Sequence, residues 1–589
     1  MCGIFSINSL NKNLEHIKFI EGAKKALNKL SHRGPDGSGI IVKPSAILGH
    51  RRLSIIDIAS GQQPMMTPDG KIGITYNGEV YNYKEIRDEL IELGHKFQTD
   101  SDTEVVLKAF SQYGIKCLEK FRGMFAFVIV NFETNEFFVA RDRFGIKPLY
   151  FTKKDDFYIF SSEIRPMHYS GLVSLEINSK RLEEYLVFGY IAGQETLHQN
   201  IHEIEGGHYL YISKNKKEYK RYWHPGSIAK KNISFEDIVN ELDQRIFDAV
   251  SAWSISDVEV GSLLSGGVDS SLVTALSKKI LGNVHTFSLG FPEDKDIDES
   301  HHIRNLRDYL KVKNTFINFK ETYINDCLTD LSDHFDEPIL DPNNYSLMAL
   351  CKNIKDKTDI KVILCGEGAD ELFGGYPRHR QISNEFMNNG DDNLLLMSLN
   401  RVALPRLKMI GANNNFSRKN REMITETLYS SDAINRVLEH DQLTFLTTRL
   451  HSQDRIGMYY GLEIRTPFLD HTLAEFVNGL PGNYKLHSQW SKHILRTVAQ
   501  KYIPKTIAWE KKKIGLNIPY SRMLFDGSLR NVFKELVINK GKIGKYFSIK
   551  KIQELLNLHK PGIEGQDHSN TLWRILAMEL WFRSLKSLE

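Results

Sequence analysis

Two stretches of this chain carry residues whose types and spacing suit covalent chemistry. The first is the heptapeptide Ser265-Gly266-Gly267-Val268-Asp269-Ser270-Ser271, set between an apolar run ending at Leu263 and Leu264 and the segment LVTALSKKIL. Glycines let the backbone approach a ligand with no Cβ in the way, and a helix start presents unpaired N–H groups to an anion. The hydroxyls at 265, 270 and 271 add donors for phosphate oxygens. No Gly-Lys-Ser/Thr tripeptide occurs anywhere, so this is not a Walker loop. The second stretch starts at Cys2. With the initiator Met removed, Cys2 would bear an α-amine of pKa about 7.7 to 8.0, part of it neutral and able to take the thiol proton, so nucleophile and base would share one residue. Asn77-Gly78-Glu79 offers an amide beside a glycine N–H, a suitable oxyanion hole for acyl transfer. Arg52, in HRRLS, offers a guanidinium for a carboxylate, and Asp102, in SDTE, a carboxylate for an ammonium. Taken singly, Asn-Gly also reads as a hairpin turn and SDTE as a helix N-cap.

The elements that must position these groups change character along the chain. IGITY (72 to 76) alternates, with Ile72, Ile74 and Tyr76 on one face. FAFVIV (125 to 130) and FFVA (137 to 140) suit strands buried on both faces, and KEIRDELIEL (84 to 93) suits a short amphipathic helix resting on Ile86, Leu90 and Ile91. This part is expected to be an α+β, sandwich-like layer. A polar, basic connector is expected after about residue 215, in KNKKEYKRYWHPGSIAKKN. Beyond it VEVGSLL, the glycine turn, a helix with Leu272, Val273, Leu276 and Ile280 at helical spacing, the strand VHTFSLGF and the strand KVILC imply a parallel sheet with helices on its faces. From about residue 425 the pattern is mainly helical. The expected units are 1–215 and 216–589.

Composition narrows the function class. The chain has 589 residues, 25% charged and 41% hydrophobic, which describes a globular protein rather than a disordered or collagen-like one. Lys plus Arg number 77 against 73 Asp plus Glu, a formal charge of +4, too small to suggest a nucleic-acid partner. No apolar run approaches the length of a membrane span, and MCGIFSINSL lacks the regions of a secretory signal, so a cytoplasmic location is the expectation. The five cysteines, at 2, 117, 327, 351 and 365, form no CxxC pair and indicate neither a disulfide framework nor a zinc site.

SGGVDSS resembles the loop with which ATP pyrophosphatases bind the leaving pyrophosphate while ATP adenylates a substrate. Joined to MCGI, SHRGPD, HRRLSIID, YNGEVYNY, TDSDTEV and RDRFGIKPLY, it resembles the glutamine-hydrolysing asparagine synthetases, a class II glutamine amidotransferase fused to an ATP pyrophosphatase domain, from residue 1 to about 515. The resemblance implies an N-terminal-nucleophile αββα sandwich, then an α/β doubly wound parallel sheet with a helical C-terminal region. It implies that Cys2 attacks the glutamine amide, with Asn77 and Gly78 as oxyanion hole and Arg52, Leu53, Ser54, Ile55, Ile56, Glu79 and Asp102 binding glutamine. It places ATP on Leu263, Ser265, Gly266, Gly267, Val268, Asp269, Ser270, Leu289, Cys365 and Gly366, and Mg²⁺ on Asp269 and Asp370. Glu367, in GEGADELFGGY, matches the base that deprotonates the adduct of ammonia, and Lys492, in SKHILR, a lysine that contacts phosphates. A sheltered ammonia channel and small-molecule substrates are implied, and a homodimer stays open.

The match departs from the family around the acceptor. Asp336-Glu337-Pro338-Ile339-Leu340-Asp341-Pro342-Asn343-Asn344-Tyr345-Ser346 lacks the usual Ser-Ala-Ile/Leu-Pro-Thr-like run, Cys365 stands where Ser is usual, and Leu516 where Phe is usual. Asp454, Arg455, Glu463 and Arg465 keep the family pattern, and the lysine run 511 to 513 reads equally as a pyrophosphate contact or a solvated basic face. Three functions therefore stand: asparagine synthesis, the same chemistry on another carboxylate such as a uronic acid, and a glutamine-binding or regulatory protein with a defunct ATP site.

Overall fold

The computed structural model describes residues 2–226, 234–292, 294, 297–339, 341–389, 408, 410–411, 424, 426–430, 432–511 and 517–586. Its first part is two antiparallel six-stranded sheets. Strand Gly3–Ser9 lies inside one of them, between Phe157–Ser161 and Ala46–Arg52. Successive side chains point to opposite faces of a strand, and this sequence uses both. Ile4 joins Leu48, Ala126, Val128 and Val139 between the sheets, while Phe5 and Ile7 pack on the helix Ile17–Lys29. In the second sheet Ala126, Val128 and Val130 face inward, and Phe125, Phe127 and Ile129 face the helices Tyr83–Glu92 and Asp102–Tyr113. The result is the αββα sandwich. Each buried ring or branched chain contributes roughly 1.5–3 kcal/mol relative to exposure, which adds to the ladder hydrogen bonds in holding these strands together.

The second part is a five-stranded parallel sheet in the order Lys313–Asn318, His285–Gly290, Val260–Leu263, Val362–Leu364, Glu463–Arg465. Val362 and Leu364 bury toward the helices Phe235–Trp253 and Val268–Leu281, and Ile363 buries with Met348 of the helix Asn344–Lys357 on the opposite face. The strand order reverses between Val260–Leu263 and Val362–Leu364. A doubly wound sheet opens a crevice at the carboxyl ends of its strands where the order reverses. The glycine turn and GEGADELFGGY both leave the sheet there.

Three expectations change. The basic stretch expected to be a connector opens as structure, because Lys217–Arg221 pairs with His208–Ile212 as the edge strand of the second antiparallel sheet. Ile91 is 49% exposed while Ile86 and Leu90 are buried, since the 100° step from Leu90 turns it off the buried stripe. The fifth parallel strand, Glu463-Ile464-Arg465, lay in a stretch read as helical. Its two charges are fully buried and pair with each other, so hydropathy hides it.

Candidate active sites

Cys2 is 7% exposed. Its backbone N–H donates to Asn77 Oδ1 at 2.9 Å, while Asn77 Nδ2 is buried and has no partner among the described residues. One end of the amide thus anchors the Cys2 backbone and leaves the other as a free donor. Asn77 and Gly78 sit within strand Ile72–Val80, opposite Ala126 and Phe125, so the hairpin-turn reading does not hold. A Cβ on Gly78 would lie 2.2 Å from Met124 O, so only glycine fits. Burial pushes the Cys2 thiol up, against the pull of the nearby amino terminus and the Leu53 N–H.

Among the residues expected to bind glutamine, Arg52 and Asp102 are held by protein partners. Arg52 donates to the carbonyls of Ile56 at 3.1 Å, Asp57 at 2.5 Å and Ile58 at 3.2 Å. Its guanidinium therefore shapes the loop that follows Leu53, and Ser54 N–H donates to Asp36 at 2.8 Å. Asp102 opens its helix behind the N-cap Ser101 and accepts from Tyr76 Oη at 2.7 Å and Val80 N–H at 3.1 Å. Burial raises its carboxyl to about 6, against the hydrogen bond from Tyr76. Glu79 is raised well above the carboxylate range by burial and then by Asp102.

The crevice of the parallel sheet is a cavity of about 820 Å³ whose wall includes Leu263, Ser265, Asp269, Ser270, Cys365, Gly366, Glu367 and Asp370. Gly266 turns the loop at φ +83°, and Gly267 starts the helix Val268–Leu281. Ser265 and Ser270 hold the turn shut, Oγ to Oγ at 2.9 Å. Lys492 is buried, not a helix-surface charge. It stands in the left-handed region at φ +54°, with Nζ 2.5 Å from Asp269 Oδ2 and 2.6 Å from Asp370 Oδ1. Burial opposes its charge, but the two carboxylates outweigh that and hold it protonated, above its usual range. Leu289 lies at the carboxyl end of its strand with its side chain in the core and is not part of the cavity wall. Lys511 is on the wall, whereas Lys512, Lys513 and Leu516 lie outside the described residues, as does Leu340.

The sequence on either side of the junction matches known families. The glutamine amidotransferase domain family matches residues 1–223, and asparagine synthase matches residues 241–583. Asparagine synthetase [glutamine-hydrolyzing] 1 of Bacillus subtilis is 30% identical over 99% of this chain and 96% of its own length. The chain belongs to the asparagine synthase family. Asparagine synthetase [glutamine-hydrolyzing] 3 of Bacillus subtilis is 32% identical over 87% of this chain and 86% of its own, and Amidase chyE of Penicillium rubens is 27% identical over 87% and 88%. This chain is thus an amidotransferase of the glutamine-hydrolysing asparagine synthetase family.

In this member of the asparagine synthase family, one helix, Phe445–Tyr459, touches both sites. Asp454 accepts from Arg33 Nη2 at 2.7 Å, and Arg33 Nε donates to the carbonyl of Cys2 at 3.1 Å. Gln453 donates to Cys365 Sγ at 3.4 Å, and burial pushes that thiol up to about 12. Arg449 grips Glu367 with two donors, at 3.1 and 3.2 Å, and Asp341 with a third, at 2.6 Å. Sequence reasoning passed over Arg449 altogether. Its only local signal is the four-residue spacing to Gln453, which puts both on one helix face.

Proposed function

We propose that this enzyme makes asparagine from aspartate, glutamine and ATP. The observation that carries the reading is the convergence on one cavity of the phosphate loop, the Asp269–Lys492–Asp370 cluster and the Glu367–Arg449–Asp341 cluster. At the first site, with Met1 removed, the α-amine of Cys2 takes the thiol proton and the sulfur attacks the glutamine carboxamide. The free Asn77 Nδ2 and the Gly78 N–H take the negative charge of the adduct. The adduct collapses to a γ-glutamyl thioester and ammonia, and water releases glutamate. At the second site the acceptor carboxylate displaces pyrophosphate from ATP, forming an acyl adenylate. Ser265, Ser270 and the helix start hold the phosphate oxygens, and Lys492 supplies positive charge to the leaving pyrophosphate. Ammonia then adds to the acyl carbon, Glu367 takes a proton from the adduct, and AMP leaves.

Mg²⁺ fits beside Asp269 and Asp370. Asp269 Oδ1 is buried with no partner, and no cage of three or more metal-binding side chains exists among the described residues. That suits an ion that takes one or two protein carboxylates and completes its shell with phosphate oxygens and water. When bound, it would neutralise charge on the phosphates.

A second reading, amidation of a sugar carboxylate, draws on Asn343, Asn344 and Asn517 on the same wall, whose amides suit hydroxyls. Purified protein with ATP, Mg²⁺ and glutamine, screened for pyrophosphate release against aspartate and uronic acids, separates the two. Asparagine formed in step with pyrophosphate supports the first; pyrophosphate that ignores aspartate overturns it. In the same assay Cys2→Ala should lose glutamine use and keep activity with added ammonium.

A further inference from the structure

The acceptor end of the cavity contains an ion pair with no part in the steps above. Asp341 Oδ2 lies 2.6 Å from Arg449 Nη1, and the two side chains are about a quarter exposed, open to the cavity both of them line. Next to them Asn344, 7% exposed, lines the cavity with Nδ2 buried and without a partner among the described residues. A buried polar donor is ordinarily satisfied, so a free one on a cavity wall marks a place where a ligand acceptor belongs.

We propose that Asp341 and Arg449 are the specificity-determining pair for an α-amino acid acceptor, a reading that rests on the proposed asparagine synthesis. A zwitterion can open this pair without leaving either charge alone. Its ammonium replaces Arg449 at Asp341, and its α-carboxylate replaces Asp341 at Arg449 Nη1, with the Asn344 amide as a second donor. Arg449 keeps its two bonds to Glu367 throughout, so the pocket reads the acceptor with the same guanidinium that fixes the base. An acceptor with a second carboxylate but no ammonium satisfies Arg449 and strands Asp341. Leaving Asp341 without its cation in a cavity filled by the acceptor is the unfavourable change, and it supplies the discrimination.

The test compares aspartate with succinate and N-acetylaspartate, which keep the carboxylates and lack the ammonium. The wild-type enzyme should bind both analogues at least about tenfold more weakly than aspartate, read as competition in aspartate-dependent pyrophosphate release. Asp341→Asn, nearly isosteric and checked for an unchanged melting temperature, should raise KM for aspartate about tenfold or more with a smaller change in kcat. It should also bring succinate level with aspartate. Arg449→Lys, which keeps the charge and loses the fork, should raise KM for aspartate. An Asp341→Asn enzyme with wild-type KM for aspartate overturns this inference alone. A wild-type enzyme that turns over a uronic acid and not aspartate overturns both this inference and the reading beneath it. Should Asp341→Asn not fold, wild-type succinate binding as tight as aspartate still refutes the proposal.

Discussion

Asn77 does two jobs with one amide, accepting from the Cys2 backbone through Oδ1 and leaving Nδ2 free. Asn77→Ala should therefore lower kcat with glutamine about 10²–10³-fold, with a smaller change in KM, in a steady-state glutaminase assay. Gly78→Ala should destabilise the fold by about 1–3 kcal/mol in a urea titration, because its methyl group meets the Met124 backbone. Glu371 gives a pH prediction. Burial, then Glu367 and Asp370, raise its carboxyl from the usual 4.5 to about 8. The folded chain keeps that proton up to about pH 8 while the unfolded chain releases it near 4.5, so the folded state binds more protons in between and stability falls as pH rises through that window. Glu371→Gln should weaken that fall, the variant gaining on the wild type from pH 4.5 to 8 in melts across pH. At this scale Cys2, the glycine loop and Asn77-Gly78 were legible, because each carries its chemistry in adjacent residues. Arg449 was not, since its two carboxylate partners lie 82 and 108 positions away.

Among elements, Asp336, at the head of the segment that departs from the family pattern, has structural work. The Asp336 carboxylate accepts from the N–H groups of Ile164, at 2.6 Å, and Arg165, at 3.0 Å, at the start of the helix Ile164–Tyr169, and it pairs with Arg455. A carboxylate at a helix start satisfies otherwise unpaired donors. Asp336→Asn strands Arg455 in a buried site and should cost about 3–5 kcal/mol in chemical denaturation. The strands of the sandwich could be read from their alternation and continuous apolar runs. Glu463–Arg465 could not, because a buried strand whose ends are Glu and Arg carries no hydropathic signature and is identified only by its pairing with Val362–Leu364.

At the scale of the molecule, the two parts are joined through buried polar contacts rather than a bare linker. Arg33 reaches Asp454, and Arg165 reaches the Ser332 carbonyl at 2.9 Å and Ser584 Oγ at 2.5 Å. Unfolding should then be one event. Of the six tryptophans, Trp490, Trp509, Trp573 and Trp581 lie in the second part, whereas Trp223 packs on Phe144 and Trp253 on Tyr81, so fluorescence reports the second part and the junction while glutaminase activity reports the first. The two signals should be lost at the same urea concentration, and separate midpoints would show that the parts unfold independently. The sequence by itself marked the candidate groups for the two chemistries, because a cysteine at position 2, a glycine turn and an acidic turn are local patterns tied to local backbone demands. The periods of apolar residues also gave a sandwich-like α+β layer followed by a parallel sheet with helices, and the resemblance named the two architectures. Only the tertiary structure decided how those chemistries share one molecule: the cavity at the strand-order reversal, the helix Phe445–Tyr459 between the sites, and the partners of Arg52, Lys492 and Arg449. Those depend on charges brought together from distant segments, and ion pairing leaves no periodic trace along a chain.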